Sequence, residues 1–155
     1  MGLFICNNYA KLISTFFYIG YLPFAPGSAA SIIGGFLYLC LSQYPVLYVF
    51  LFVLITIAGF MLSGQMEEAE NFKDPSCVVI DEVSGVMIAF YGMPITPAVL
   101  VTAFFLFRAF DMFKIYPANK FENITGGAGI MLDDIMAGIY TNFVMHAAIR
   151  LAGLA

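Results

Sequence analysis

The sequence predicts an all-α fold: an integral membrane bundle of about four to five short helices, preceded by an amphipathic helix at the membrane interface. Hydrophobic residues make up 62% of the 155 residues, charged residues only 10%, and the mean hydropathy is +0.93. A soluble domain is about half apolar and about a quarter charged. Long uncharged segments alternate with short turns containing proline or glycine. No linker separates these segments, so residues 1–155 are expected to form a single domain.

The first apolar segment, residues 3–21, carries a polar stripe with the period of an α-helix. The stripe consists of Asn7, Lys11, Ser14 and Tyr18. A charge near the middle of the segment suits a helix lying in the membrane interface better than one crossing the bilayer. Pro23 and Pro26 end this helix. The segment has no basic leader, so a cleaved signal peptide is not expected.

Five further apolar segments are predicted to be membrane helices. Their approximate bounds are 29–42, 46–63, 78–91, 95–110 and 130–151. Pro45 separates the first two, because a helix usually ends before the residue that precedes a proline. Several segments have about 14–18 residues, whereas a full span needs about 20. We therefore expect a compact bundle whose polar mouth dips below the lipid headgroups.

Alternate crossings of the membrane place nearly all ionisable side chains on one side. That side receives five of the six basic residues, and only Arg150 lies on the other. The five are Lys11, Lys73, Arg108, Lys114 and Lys120. The positive-inside rule makes their side cytoplasmic.

The charge and the cysteines exclude other classes of protein. A net charge of −4 gives no basic field for nucleic acid. The three cysteines form neither a CxxC motif nor a cluster with histidine, so neither a disulfide framework nor a zinc site is expected.

Two pairs of carboxylates near helix starts predict a metal site: Asp81 with Glu82, and Asp133 with Asp134. Oxygen ligands from separate segments are what Mg²⁺ prefers, with phosphate oxygens of a substrate completing its shell. Gly85 and Gly138 each lie four residues after an acid, where a glycine permits close approach of two helices. The alternative is that the acids only cap helix N-termini.

Three charged residues, Arg108, Asp111 and Lys114, recur at three-residue spacing on one predicted helix face. The guanidinium and ammonium groups suit phosphate oxygens, and Asp111 could share in the metal site. A basic helix end that reaches toward the headgroups is the alternative.

Two loops that lead into helices are weaker candidates for phosphate binding. The glycine-rich segment 126–129, which contains Gly127, opens the last helix, and such helix N-termini attract anions. Residues 23–28 also precede a helix, with Ser28 as the predicted N-cap.

The chain resembles the phosphatidylglycerophosphatase A family from about residue 20 to residue 138. Four ordered motifs carry the resemblance: LPFAPGS at 22–28, VIDEVSG at 79–85 after Asp74-Pro75, FRAFDMFK at 107–114, and GGAGIMLDDIMAG at 126–138. The resemblance implies a Mg²⁺-dependent lipid phosphatase of the bacterial inner membrane. It would hydrolyse phosphatidylglycerophosphate to phosphatidylglycerol and inorganic phosphate.

The site predicted above fits that activity. Asp81, Glu82 and Asp134 would hold the metal with Asp133 beside them, Asp111 would complete the catalytic carboxylates, and the two cations would clamp the phosphate. Water is preferred to an aspartate as nucleophile, because no DxDxT motif is present. The alternatives are an ion or proton transporter, another enzyme of phospholipid headgroups such as a CDP-alcohol phosphotransferase, and a structural membrane subunit.

Overall fold

The computed structural model describes residues 8–116, 118–121 and 124–153, and all regular structure in these ranges is helical. This confirms the predicted all-α class. The helices are α1 (Asn8–Ser14), a 3₁₀ turn (Ile19–Tyr21), α2 (Pro26–Leu41), α3 (Pro45–Glu70), α4 (Ile80–Phe90), α5 (Pro97–Phe113), α6 (Ala118–Phe121) and α7 (Gly127–Leu151).

Prolines begin three of the helices. Pro26, Pro45 and Pro97 occupy the first turns of α2, α3 and α5, where a missing N–H costs no intrahelical hydrogen bond. The Thr96 hydroxyl also accepts a hydrogen bond from the Val99 N–H at the start of α5. The predicted break before Pro45 is confirmed, although α3 runs on to Glu70, past its predicted end at residue 63.

The centre of the fold is α4, which packs against α2, α3, α5 and α7. Nine of its 11 residues are buried. At 1.5 Å per residue the helix is about 16 Å long, about half the thickness of the hydrocarbon core. It is therefore an internal helix wrapped by longer ones, and its apolar sequence reflects burial in protein.

Among the described residues, α3 is the one helix both long and apolar enough to cross a bilayer. The predicted four to five spans are therefore not confirmed. Only 22% of the most apolar window of α3 is buried inside the protein, and Phe50 and Met61 on this helix are more than half exposed. A large apolar surface of this kind marks contact with lipid or another protein.

The predicted close approach of α4 and α7 is confirmed at two glycines. A Cβ on Gly138 would lie 2.3 Å from the Gly85 carbonyl oxygen, and one on Gly85 would lie 2.7 Å from the Asp134 carbonyl oxygen. Only residues without a side chain fit this crossing. It brings Asp81, in the first turn of α4, close to Asp134, the eighth residue of α7.

The N-terminal segment differs from the prediction. Helix α1 ends at Ser14, and Phe16, Phe17 and Tyr18 that follow all have positive φ angles. Ser14, expected on an outward polar stripe, is buried, and its carbonyl accepts a 3.0 Å hydrogen bond from the Val79 N–H. Tertiary packing against the start of α4 therefore replaces the long amphipathic helix. Asn7 and the residues before it lie outside the described ranges.

Candidate active site

A cavity of about 290 Å³ lies where the N-terminal regions of α2, α4 and α7 meet the C-terminal end of α5. Eight of the predicted site residues line it: Ser28, Asp81, Glu82, Arg108, Asp111, Lys114, Asp133 and Asp134. Segments far apart in the chain thus meet at one point. The convergence follows from the short α4 and from the glycine crossing that holds it against α7.

Three carboxylates form the innermost group of the cavity. One oxygen each from Asp81, Glu82 and Asp134 can be chosen so that all three lie within 4.8 Å of one another. The Asp81 and Asp134 side chains are buried. Three negative charges at this distance repel one another strongly, because burial excludes the water that would screen them. The group therefore requires bound protons or a cation.

The donor set fits a hard divalent cation. Asp81 Oδ1 and Glu82 Oε2 are buried and have no hydrogen-bond partner among the described residues. Buried oxygens without partners are costly unless something compensates them. Carboxylate oxygens from two helices, with space beside them for a phosphate, match the ligands that Mg²⁺ takes in proteins.

Gly27 makes room for this group. A Cβ at Gly27 would lie 2.2 Å from Glu82 Oε1. The first turn of α2 therefore approaches the Glu82 carboxylate more closely than any other residue would allow.

Asp133 is separate from the three-carboxylate group. Its Oδ2 accepts a 2.8 Å hydrogen bond from Lys114 Nζ, and its Oδ1 accepts one of 3.1 Å from the Asp134 N–H. Asp133, which was predicted to be a metal ligand, is therefore the ion-pair partner of Lys114 at the cavity wall.

The predicted cations both line the cavity, but not from a single helix face. Arg108 Nη1 lies 2.8 Å from Asp111 Oδ2 within α5. Lys114 follows the end of α5 in a left-handed conformation, with φ of 43°. Each cation is thus paired with a carboxylate. Arg108 Nη1 is buried and makes no hydrogen bond to the described residues, which suits a donor that binds phosphate.

The first turn of α2 also faces the cavity, and here the predicted N-cap is wrong. The helix begins at Pro26 after Ala25, whose φ is 44°, so Ser28 lies inside the first turn. Backbone N–H groups in a first helical turn lack intrahelical acceptors and favour anions. Ser28 therefore lies at a wall suited to phosphate, although it is not the cap.

Gly127 does not line this cavity. A Cβ on Gly127 would lie 2.2 Å from the Phe60 carbonyl oxygen, so the residue permits close packing of α7 on α3. The neighbouring Gly126 N–H donates a 2.9 Å hydrogen bond to Glu67 Oε2. At this predicted anion site, the Gly126 N–H thus already donates to a carboxylate of the protein itself.

Two polar side chains that were not predicted as site residues, Asp74 and Ser76, also line the cavity. Asp74 stands at the end of a charged segment whose sequence is typical of a solvated loop. Such a segment gives no indication that Asp74 lies at the cavity. Its left-handed φ of 50° and the following proline are the local signals of a fixed turn.

An acidic group flanked by a guanidinium and an ammonium group is the donor set of an enzyme that handles phosphate esters. Comparison with known proteins identifies the family. Residues 12–149 match the model of the family described as phosphatidylglycerophosphatase A. The chain belongs to this family and is a phospholipid phosphatase.

Curated relatives cover nearly the whole chain. A Bacteroides thetaiotaomicron protein, whose name marks it as a candidate phosphatidylinositol-3-phosphatase, is 40% identical over 90% of this chain and 92% of its own. The phosphatidylglycerophosphatases A of Escherichia coli and Haemophilus influenzae are each 32% identical over 90% of this chain, and over 83% and 88% of their own. No solved structure matches.

Proposed function

We propose that this protein hydrolyses the terminal phosphate of phosphatidylglycerophosphate in a Mg²⁺-dependent reaction, giving phosphatidylglycerol and inorganic phosphate. One observation carries the proposal. The carboxylates of Asp81, Glu82 and Asp134 lie in the same cavity as Arg108 and Lys114. This donor set could hold a cation and a phosphate side by side.

Separate groups of residues would bind the phosphate and the metal. Arg108 and Lys114, each paired with a carboxylate, would hold phosphate oxygens against repulsion from the acidic group. The first turn of α2, including Ser28, would add backbone donors to the same phosphate. Asp81, Glu82 and Asp134 would hold Mg²⁺, which when bound supplies Lewis-acid stabilisation of the phosphate charge.

The reaction itself is the displacement of an alcohol by water. The attacking water forms the new phosphorus–oxygen bond and loses a proton. The bond to the glycerol oxygen breaks, and that oxygen takes up a proton, so no net proton is gained or lost. Asp111 lies at the cavity, where it can hold Arg108 in place as negative charge moves toward the leaving oxygen.

The same proposal places the protein in the bacterial inner membrane with its site on the cytoplasmic side. The apolar exterior of α3 supports contact with lipid. A cavity within reach of the bilayer surface leaves the acyl chains of the substrate among lipid, and extracting them would cost about 0.8 kcal/mol for each CH₂ exposed.

A second candidate substrate is phosphatidylinositol 3-phosphate. The observation that favours it is the higher identity, 40% against 32%, to the relative named for that lipid. Both substrates present a phosphate monoester on a polyol that a phosphodiester joins to diacylglycerol, so one site chemistry serves either.

The test measures phosphate release by the purified protein in detergent micelles containing either lipid, with Mg²⁺ and after exhaustive chelation with EDTA. We expect turnover of phosphatidylglycerophosphate that requires Mg²⁺, and little turnover of glycerol 3-phosphate, which lacks the acyl chains. Undiminished turnover in EDTA would contradict the metal requirement. Faster turnover of the inositol lipid would replace the first substrate with the second.

A further inference from the structure

A second cavity, of about 480 Å³, lies directly beside the carboxylate cavity. The two share three lining residues, Asp74, Lys114 and Asp133. The second cavity therefore offers space to the rest of a ligand whose phosphate lies in the first. None of the roles described above uses this second space.

The lining of the second cavity is a mixture of charge and apolar surface. Its charged members outside the shared wall are Glu67 and Lys73, and its apolar members include Phe72 and Ile124. Such a lining is too polar for an acyl chain. Three carboxylates against two ammonium groups also make it a poor place for a second phosphate dianion.

This chemistry suits a polyol. Hydroxyl groups donate hydrogen bonds to carboxylates, while the C–H faces of a polyol pack against aromatic and aliphatic side chains. Glu67 is fixed for such a role because its Oε2 accepts the Gly126 hydrogen bond, which leaves Oε1 for other donors. Lys73 is exposed and provides positive charge at the wall.

We propose that the second cavity binds the polyol of the lipid headgroup, with Lys73 contacting the phosphodiester that joins the polyol to diacylglycerol. This inference rests on the proposed function and adds a specificity site to it. Lys73 and Ile124 would determine which headgroups are accepted, while the carboxylate cavity would bind the scissile phosphate of any of them.

The test uses binding as well as turnover. The probe is a water-soluble analogue of the deacylated phosphatidylglycerophosphate headgroup, with a methylene in place of the terminal ester oxygen so that it cannot be hydrolysed. Its affinity for the full-length protein in detergent with Mg²⁺ is compared with that of inorganic phosphate by titration calorimetry. We expect the analogue to bind more tightly than phosphate, because only the analogue fills both cavities.

Two variants locate the source of that advantage. Lys73→Gln removes the charge, and Ile124→Trp fills the cavity. Each should weaken binding of the analogue roughly tenfold and leave binding of phosphate unchanged, Lys73→Gln because a charged hydrogen bond is lost and Ile124→Trp because the polyol no longer fits. The matched controls are Lys120→Gln and Ile139→Trp, which change residues that line neither cavity; neither should alter binding of the analogue.

The outcomes separate the two proposals. Equal affinity of the wild-type protein for analogue and phosphate, or equal losses in the variants and their controls, would overturn the headgroup cavity even if the lipid is hydrolysed. Failure to hydrolyse either lipid would overturn the proposed function. In that case, tighter binding of the analogue that depends on Lys73 would still support the cavity.

Discussion

At the scale of single residues, the carboxylates of Asp81 and Asp134 carry the proposed chemistry. Both are buried and both belong to the three-carboxylate group. Changing either to asparagine preserves the shape of the side chain but removes one charged oxygen from the donor set. We expect Asp81→Asn and Asp134→Asn each to lower turnover about 100-fold or more. Circular dichroism and gel filtration should show that both variants remain folded.

Glu68→Gln is the matched control for these variants. It makes the same change of charge at an exposed residue that lines neither cavity, so we expect normal turnover. Near-normal rates in Asp81→Asn or Asp134→Asn would instead assign that residue to capping of its helix.

Gly27 gives a second test with a single substitution, because it borders the proposed metal site without supplying a ligand. The Cβ of Gly27→Ala would lie 2.2 Å from Glu82 Oε1 and push that carboxylate aside. Since the displaced atom ends a flexible side chain, stability should change little. We expect the Mg²⁺ concentration for half-maximal activity to rise about tenfold, which corresponds to about 1.4 kcal/mol.

Gly35→Ala is the control for Gly27→Ala, because it makes the same substitution in the same helix. There the added Cβ would lie 3.1 Å from the Phe90 ring, far from the carboxylates. It should lower the melting temperature without changing the response to Mg²⁺. If both variants shift the response equally, Gly27 has only a packing role.

At the scale of helices, the sequence predicts some features well because they depend on local chemistry. Proline fixes where α2 separates from α3. The i, i+4 spacing of Asp81 with Gly85, and of Asp134 with Gly138, correctly indicates which faces of α4 and α7 meet. The site residues on these faces could therefore be predicted before the fold was known.

Other features of the helices depend on tertiary contacts that no local pattern records. The apolar sequence of α4 fits a lipid-facing helix as well as one surrounded by protein, and only its neighbours decide between them. The glycines at 126–129 look like an anion site, yet Glu67, from a helix distant in sequence, takes the Gly126 N–H. In the sequence, Asp133 and Asp134 look equivalent. In the structure, Asp133 forms an ion pair with Lys114, whereas Asp134 belongs to the three-carboxylate group.

The crossing of α4 and α7 carries a prediction at this scale. In Gly138→Ala the new Cβ would lie 2.3 Å from the backbone oxygen of Gly85, which cannot move aside as a side chain can. Overpacking of this kind costs about 1–3 kcal/mol. We expect a lower melting temperature in detergent and lower turnover, because the helices that carry Asp81 and Asp134 are forced apart.

The control adds one carbon to α7 where there is space. Val144→Ile changes a residue of the same helix that is 41% exposed, so stability and turnover should stay near those of the wild-type protein. Equal behaviour of the two variants would show that the crossing tolerates a side chain and that close approach is unnecessary.

At the scale of the whole molecule, the helices separate two ends with different chemistry. Both cavities lie at one end, where α3 finishes and α4 and α7 begin. The opposite end holds the turn after α4, where the Tyr38 hydroxyl donates to the Met93 carbonyl, and the C-terminal end of α7 with Arg150. The basic residues thus follow the same division that the sequence predicts for the two sides of a membrane.

The last prediction tests whether this division is the orientation in the membrane. Single cysteines at Glu70, beside the cavities, and at Ile95, in the opposite turn, are introduced after Cys6, Cys40 and Cys77 are replaced. Ile95 is preferable to Gly92, whose φ of +72° would strain a cysteine. Cys77 is replaced even though burial raises the pKa of its thiol and so slows its reaction with thiol reagents.

In intact spheroplasts, a membrane-impermeant thiol reagent should label Ile95→Cys and spare Glu70→Cys, because the excess of basic residues holds the cavity end in the cytoplasm. Lysis should make both cysteines reactive, which shows that Glu70→Cys was shielded by the bilayer rather than by the protein. Labelling of Glu70→Cys alone before lysis would reverse the orientation and place the phosphatase site on the outer face of the membrane.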